Sequence, residues 1–538
     1  MTALDGAATV FEGFAAAARR WPDRPMLRVL PETAAAYDIP TGDLTYAAAA
    51  ARVEVIRAAL GAAGAVAGMR AMLLLENRPD FFLHWLALNA LGLSVVPVNP
   101  DLRATEIEHM VRLTRPALAF AIPARADDLH AGGVQLVVPP FEGRPLPTLT
   151  HGPQFGTTGP NALREAAVLF TSGSTGKPKG CVLPNEYFLE AGRWYAAEGG
   201  LCALTDAGER MLTPLPIFHM NAMAYSFMAM LAVGGCLIAL DRFHPRSWWA
   251  GVRESEATCV HYLGVMPSML MSLPAGPDDR AHAVRFGFGA GVDPKLHADF
   301  EERFGFPLVE AWAMTETGAG AVIAASQLPR QVGVSALGRP GPAMEMRIVD
   351  ADDADVAPGQ PGELLVRAAG DDPMRGFFRA YLNDPAATEE AWAGGWFHTG
   401  DVVRTDEGGQ VHFVDRRKNV IRRSGENIAA VEVESVLMRH PAVTGAAVTA
   451  VPDPVRGDEV FAFLTTRDPG GPALARAIVD WGLGQMAYYK VPGYVAFLDA
   501  LPLTATQKLQ RAEVKAMAAA RLDDPATVDT RAMKRRQA

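Results

Sequence analysis

Residues 169–181 read LFTSGSTGKPKGC and crowd glycines, hydroxyls and two lysines into one short stretch. Glycines let a backbone approach an anion closely, while hydroxyls, amides and ammonium groups supply donors. A flexible linker would need neither the apolar run that ends at Thr171 nor lysines on both sides of Pro178. The stretch therefore reads as a phosphate loop. It is not a Walker A loop, because Gly173 and Gly176 stand too close together and Pro178 follows Lys177 directly. That proline removes an amide donor and steers Lys177 away from helical geometry. The loop is expected to drape over its phosphates, with Thr171, Ser172, Gly173, Ser174, Thr175, Gly176 and Lys179 as the donors and close-approach positions.

Other chemistry-bearing stretches follow in order. They are PIFH ending at His219, GFGAGV with Gly289, Ala290 and Gly291, EAWAMTET with Ala311, Trp312, Ala313, Thr315 and Glu316, and WFHTGD ending at Asp401. After them come DRRKN with Arg416 and Lys418, SGEN with Gly425 and Glu426, and PLTATQK ending at Lys508. Each has a bland reading on its own: a packed histidine, an ordinary turn, a turn aspartate, a solvated charge run, a surface lysine. The ordered set is far more specific than any member.

That set, running from Gly42 to Lys508, resembles the adenylate-forming (ANL) superfamily of acyl-CoA synthetases, adenylation domains and luciferases. The stretch VDRRKNVIRRSGENIAAVEVE most resembles crotonobetaine/carnitine-CoA ligase-like members. The resemblance implies ATP, Mg2+ and CoA as cofactor and co-substrates. It implies His219 at the border of an acyl pocket and Gly289, Ala290, Gly291, Ala311, Trp312 and Ala313 around adenine and substrate. Thr315 would bond the α-phosphate, Glu316 would hold Mg2+, and Asp401 would chelate the ribose hydroxyls, since two carboxylate oxygens match two vicinal donors. Arg416 would face nucleotide, Lys418 would be the pivot, Gly425 and Glu426 would meet the thioester site, and Lys508 would be the catalytic lysine. Three departures stand out. Trp312 and Ala313 replace the usual tyrosine and glycine, Gln507 replaces a glycine, and Asn185 stands where the family often has histidine. Asn185 is read as the cap of the helix after it.

The implied reaction is ATP-dependent acyl-CoA ligation: a carboxylic acid becomes an acyl-AMP with release of pyrophosphate, and the acyl group then passes to CoA. The alternative is a stand-alone adenylation enzyme that loads a carrier protein; no carrier region is recognised in the sequence, which favours CoA. The groups around His219, namely Met220, Asn221, Met223 and Tyr225, are neutral, whereas a trimethylammonium acid calls for an acidic or aromatic cage. The methionines of residues 211–230, with Met266, Met269 and Met271, either line an adaptable pocket or, at about two to one, fill core.

These residues need a scaffold. Apolar runs such as AMLLLE, SVVPVN and LAFAI alternate with helical stretches through the first part of the chain, which argues an α/β body with buried sheets. From about Arg347 the texture changes to short strands and Pro/Gly/Asp turns. The expected organisation is a large α/β domain over residues 1–415, β-rich from about 340, and a small mobile α+β domain over 416–538 hinged near Lys418. A chain of 538 residues, 49% hydrophobic, can bury more than one core. Its net charge of −10 argues against nucleic acid as a general partner. Scattered cysteines and the lack of an export-like start suggest a cytoplasmic setting. The uncharged run 220–240 reads as buried helix, turn and strand rather than a membrane span. Partners are then small molecules, with a homodimer left open.

Overall fold

Strands Arg70–Leu74, Ser94–Pro97 and Leu118–Ala121 are buried at every position, as strands must be when helices cover both faces of a parallel sheet. They pair in parallel, with helices Pro79–Ala90 and Ala104–Thr114 making the crossovers. The computed structural model describes residues 1–534 apart from 101, 103, 141–142, 150–152, 156–158, 172–178, 417–419, 424–425, 454–455, 487 and 505–507.

Among the described residues the strands form three sheets. The first continues from Ser94–Pro97 into Glu165–Thr171 and then, antiparallel, into Lys179–Pro184. A second sheet runs in parallel through Cys236–Ala239, Arg210–Thr213, Cys259–Leu263, Phe286–Ala290 and Leu308–Trp312. It then turns antiparallel through Ile323–Ala324, Ala336–Pro340, Val411–Arg416, Phe397–Thr405, Gly362–Ala368 and Met344–Val349. The β-rich region expected from about residue 340 is thus hydrogen-bonded onto the parallel strands as their extension. A third sheet joins Glu426–Ala429, Val420–Arg423, Gly457–Thr466, Tyr494–Phe497 and Val528–Asp529, with Val443–Asp453 paired to Gly457–Thr466. It carries its own apolar cores, one around Ile421, Val433, Ile478 and Val495 and the other around Phe461, Phe463 and Val514. The molecule is therefore a mixed α/β protein with a large N-terminal part and a smaller C-terminal one.

The uncharged run 220–240 folds as a π-helix Asn221–Ser226, an α-helix Phe227–Val233, a left-handed turn at Gly234 and the strand Cys236–Ala239. Among the described residues, no helix is long and apolar enough to cross a membrane. Met211, Met223, Met228, Met230 and Met266 are buried in the main core, so the core reading of the methionines holds for these. The four cysteines are free and buried.

The capping role expected of Asn185 is not found. Asn185 is the first residue of helix Asn185–Glu198, and no side chain caps that end. Its Oδ1 accepts from the Val10 amide at 3.1 Å and from Asn89 Nδ2 at 2.8 Å, and its Nδ2 donates to the Asn161 and Arg164 carbonyls. A buried amide is satisfied where it can reach acceptors and donors, and here three distant segments offered them.

Candidate active site

Parallel strands end on one edge, and ligands of open α/β sheets collect beyond that carboxyl edge. His219 follows strand Arg210–Thr213, Ala290 and Gly291 close and follow Phe286–Ala290, and Trp312 ends Leu308–Trp312. The turns at this edge are tight. A Cβ at Gly289 would lie 2.2 Å from the Tyr262 carbonyl oxygen, and one at Gly264 only 1.6 Å from that of Gly291. Either substitution would force backbone apart, so glycine is required at both positions. Glu310, buried on strand Leu308–Trp312, accepts the Val292 amide at 2.8 Å and braces the same turn. Burial pushes its carboxyl pKa up, against the pull of that amide.

The candidate phosphate stretch is flanked by two antiparallel strands. Thr171 and Lys179 are the last register pair between Glu165–Thr171 and Lys179–Pro184. Lys179 opens a strand rather than a helix, so the Walker arrangement is excluded on backbone grounds as well. Ser172, Gly173, Ser174, Thr175 and Gly176 lie outside the described residues.

Beside these two strands the structure gathers a group that spacing alone does not reveal. The short strand Ala380–Tyr381 pairs with Lys179–Pro184, setting Tyr381 opposite Cys181. The Tyr381 hydroxyl donates to Glu316 Oε1 at 3.0 Å, and the Lys179 ammonium sits 4.7 Å from the centre of the Tyr381 ring. The Phe378 amide donates to the Glu316 carbonyl at 2.9 Å, tying the same segment to the Glu316 backbone. Burial, and then the Glu316 charge, push the phenol pKa up, so Tyr381 keeps its proton and remains a donor. Cys181 is buried beside Glu316, and burial raises its thiol pKa well above the usual value, which makes it an inert thiol. No local pattern in the sequence marks Tyr381, because its role depends on a two-residue strand formed far from residue 316.

Trp312 and Asp401 meet directly: the indole Nε1 donates to Asp401 Oδ2 at 2.8 Å in a buried setting. The aspartate is further set by its own amide bond to Thr399 Oγ1 at 3.1 Å, and it faces Arg416 in the register of strands Phe397–Thr405 and Val411–Arg416. Trp312 has no hydroxyl, but its N–H is used. Thr315 is half-buried in the turn after Trp312, between Ala313 and Glu316. Glu426 is placed in strand Glu426–Ala429, while Lys418 and Gly425 lie outside the described residues.

His219 is exposed, yet protein surrounds it on nearly every side. That environment first, and the nearby positive charge of Lys508 second, push its pKa down to about 4. Lys508 is therefore brought within electrostatic reach of His219. Its own amide donates to Thr504 Oγ1 at 3.1 Å, and the Thr504 amide donates back to the Lys508 carbonyl at 2.7 Å.

Glu316 can serve a hard divalent ion. Among the described residues no cluster of three metal-ligating side chains exists, so such an ion would complete its shell with ligand phosphates and water, as Mg2+ does.

A parallel sheet with the candidate residues at its carboxyl edge, a β-rich extension and a smaller C-terminal part with its own sheet define the fold. The AMP-binding enzyme family matches residues 14–378, and its C-terminal domain family matches residues 432–508. The chain belongs to the AMP-binding enzyme family and is an acyl-CoA ligase of the ANL superfamily. It is similar to the crotonobetaine/carnitine-CoA ligase of Salmonella arizonae, at 30% identity over 461 residues, 82% of this chain and 87% of that protein. The enzyme of the same name from Proteus mirabilis is 29% identical over 479 residues, 85% and 90% of the two chains. Among solved structures, ATP-bound MatB from Rhodopseudomonas palustris aligns with a TM-score of 0.77 at 23% identity, covering 96% of this chain and 99% of that one. The o-succinylbenzoate coenzyme A synthetase of Bacillus subtilis, solved with ATP and magnesium ion, gives a TM-score of 0.77 at 24% identity, covering 93% and 98%. At these identities the structural likeness establishes the shared fold.

Proposed function

We propose that the enzyme activates a carboxylic acid with ATP and transfers the acyl group to CoA in two half-reactions on one cleft. The observation that supports this reading is the electrostatic reach of Lys508, from the smaller C-terminal part, to His219, beside the edge where an acid and ATP would meet. In the first half-reaction a carboxylate oxygen attacks the α-phosphorus, the bond to pyrophosphate breaks, and acyl-AMP forms. Two anions must be aligned and their repulsion offset. Lys508 would stand between carboxylate and α-phosphate. Thr171 and Lys179, with Ser172, Ser174 and Thr175, would hold the departing phosphates, and Thr315 would bond the α-phosphate. Glu316 would hold Mg2+, which supplies charge neutralisation on the phosphates. Asp401 would fix the ribose, with Trp312 holding the carboxylate. His219, neutral near pH 7, adds no positive charge to compete with Lys508 for the substrate anion.

In the second half-reaction the CoA thiolate attacks the acyl carbon, the bond to AMP breaks, and the thioester leaves. Lys508 has no task there. A turn of the small domain, residues 416–538, about Lys418 would withdraw it and bring Gly425 and Glu426 to the cleft, where a missing side chain lets a narrow pantetheine pass. The relatives are named for crotonobetaine and carnitine, but Met220, Asn221, Met223 and Tyr225 offer no anionic cage for a trimethylammonium group, and such an acid is not proposed. A cytoplasmic setting belongs to the same reading, in keeping with four unpaired cysteines.

The test is a panel of carboxylic acids with ATP, Mg2+ and CoA, read by pyrophosphate release and by the mass of the thioester. Pyrophosphate release without a CoA thioester would favour the carrier-loading alternative. Absence of any acid-dependent pyrophosphate would sink both.

A further inference from the structure

The π-helix Asn221–Ser226 begins just beyond His219. Its wide turn sets side chains five residues apart on one side, and such turns are frequent at functional sites. Here Asn221 Oδ1 and Ser226 Oγ both lie 2.8 Å from Nδ1 of His261, a fully buried ring on strand Cys259–Leu263. On the other side of the ring the Tyr195 hydroxyl lies 3.0 Å from Nε2.

These contacts fix the proton positions. Tyr195 is fully buried, and among the described residues His261 Nε2 is the acceptor its hydroxyl meets. A buried hydroxyl must donate, so Nε2 carries the lone pair and Nδ1 the hydrogen. Burial holds the ring neutral, with a pKa pushed down to about 3, which agrees with a single ring proton. The Ser226 hydroxyl donates to the Asn221 carbonyl at 3.3 Å, leaving its oxygen to share the Nδ1 proton with Asn221 Oδ1. Asn221 is thereby oriented: its oxygen points inward to His261 and its NH2 group points away. Asn221 is only half-buried, and among the described residues Nδ2 meets no protein acceptor and is not sealed from solvent. Aromatic rings pack about the same imidazole, with Tyr195 at 5.6 Å and Phe288 at 5.4 Å from His261 between ring centres. Trp194 lies 5.6 Å from Tyr225 and 6.1 Å from Phe288 between ring centres, and the Tyr225 hydroxyl is already spent on the Gly318 carbonyl at 2.8 Å. Every group in this cluster is uncharged.

We propose that Asn221 Nδ2 is a specificity-determining donor of the acyl site, selecting acids whose acyl group carries a neutral hydrogen-bond acceptor, a ketone, ether or hydroxyl oxygen, over their all-hydrocarbon counterparts. This rests on the reading that His219 borders the acyl site. The groups that hold Asn221 are uncharged, so an anionic tail would meet no opposite charge there. A donor anchored through a buried imidazole cannot turn to hide its N–H from a hydrocarbon chain, so an acid without an acceptor leaves it unpaired.

The experiment uses short and medium straight-chain fatty acids and matched acids in which one methylene is replaced, position by position, by an ether oxygen or a ketone. Pyrophosphate release with ATP and Mg2+ gives kcat/KM for each pair. The wild-type enzyme is expected to prefer the oxygen-bearing member of at least one pair by about tenfold or more. Asn221→Asp keeps the size and the acceptor to His261 but turns the outward donor into an acceptor, and it should bring that ratio to one or below. Asn221→Leu should also bring it near one, and if that variant does not fold the aspartate variant decides. No preference in any pair, or a preference that survives in Asn221→Asp, overturns the proposal while acid-dependent pyrophosphate release stays intact. If no acid of either kind is activated, the acyl-ligase reading fails first and this one with it.

Discussion

Tyr381 and Trp312 each hold one carboxylate of the site by a single hydrogen bond, and each bond can be removed without changing much shape. Tyr381→Phe deletes the donor to Glu316 Oε1 and keeps the ring that faces Lys179. A bond to a carboxylate contributes about 1.5–3 kcal/mol when removed, so the apparent Mg2+ requirement should rise about tenfold. Binding of Mn2+ with ATP, followed by the paramagnetic signal of the ion, should weaken in parallel, and an unchanged affinity would show that Tyr381 is packing only. Trp312→Phe likewise deletes the donor to Asp401 Oδ2. Its effect should fall on the nucleotide, with KM for ATP rising about tenfold and KM for the acid little changed. A rise confined to the acid would remove Asp401 from the ribose. The sequence pointed to Trp312 through its motif and set it beside adenine, but gave no task to its indole N–H. It was silent on Tyr381 and His261, since both act through partners that only the folded sheets bring near.

At the level of elements, local pattern was a good guide where burial is continuous and a poor one where pairing is distant. The runs AMLLLE, SVVPVN and LAFAI became parallel strands because a strand buried on both faces leaves an unbroken apolar signature. The stretch from residue 340 kept its β texture, yet nothing local told that it would extend the sheet that carries the site. The Asn185 cap failed for a related reason: its partners come from segments around residues 10, 89 and 161–164. The strand Cys259–Leu263 makes a testable statement of its own. His261 titrates near 6.5 when unfolded, but burial holds it to about 3 in the fold. As pH falls from about 6.5 the unfolded chain takes up a proton that the folded chain refuses, so stability drops, by up to about 1.4 kcal/mol per pH unit. His219 acts in the same direction down to about pH 4, more weakly because its ring is open to the cleft. Urea unfolding of wild type and His261→Gln across this window should show the shallower decline in the variant, and parallel curves would mean that His261 is not the group titrating.

At the scale of the whole molecule, the described residues of the two parts pack around separate apolar cores, as the proposed turn of one on the other would require. Under the proposed function, the electrostatic reach of Lys508 to His219 would suit acyl-AMP formation, and the thioester step would call for a different arrangement. The two half-reactions should therefore separate by mutation. Lys508→Ala is expected to lower acid-dependent pyrophosphate release by about 10²–10³-fold, the scale of losing one charge-stabilising group, while thioester formation from supplied acyl-AMP changes little. Gly425→Trp should do the reverse, sparing pyrophosphate release and blocking acyl transfer, because a large side chain would fill the path proposed for pantetheine. Each half-reaction can be read on the same samples, pyrophosphate by coupled assay and thioester by mass. Equal loss of both steps in Lys508→Ala would count against the lysine as the adenylation residue, and equal loss in Gly425→Trp would mean that the small domain does not change its face between the two steps.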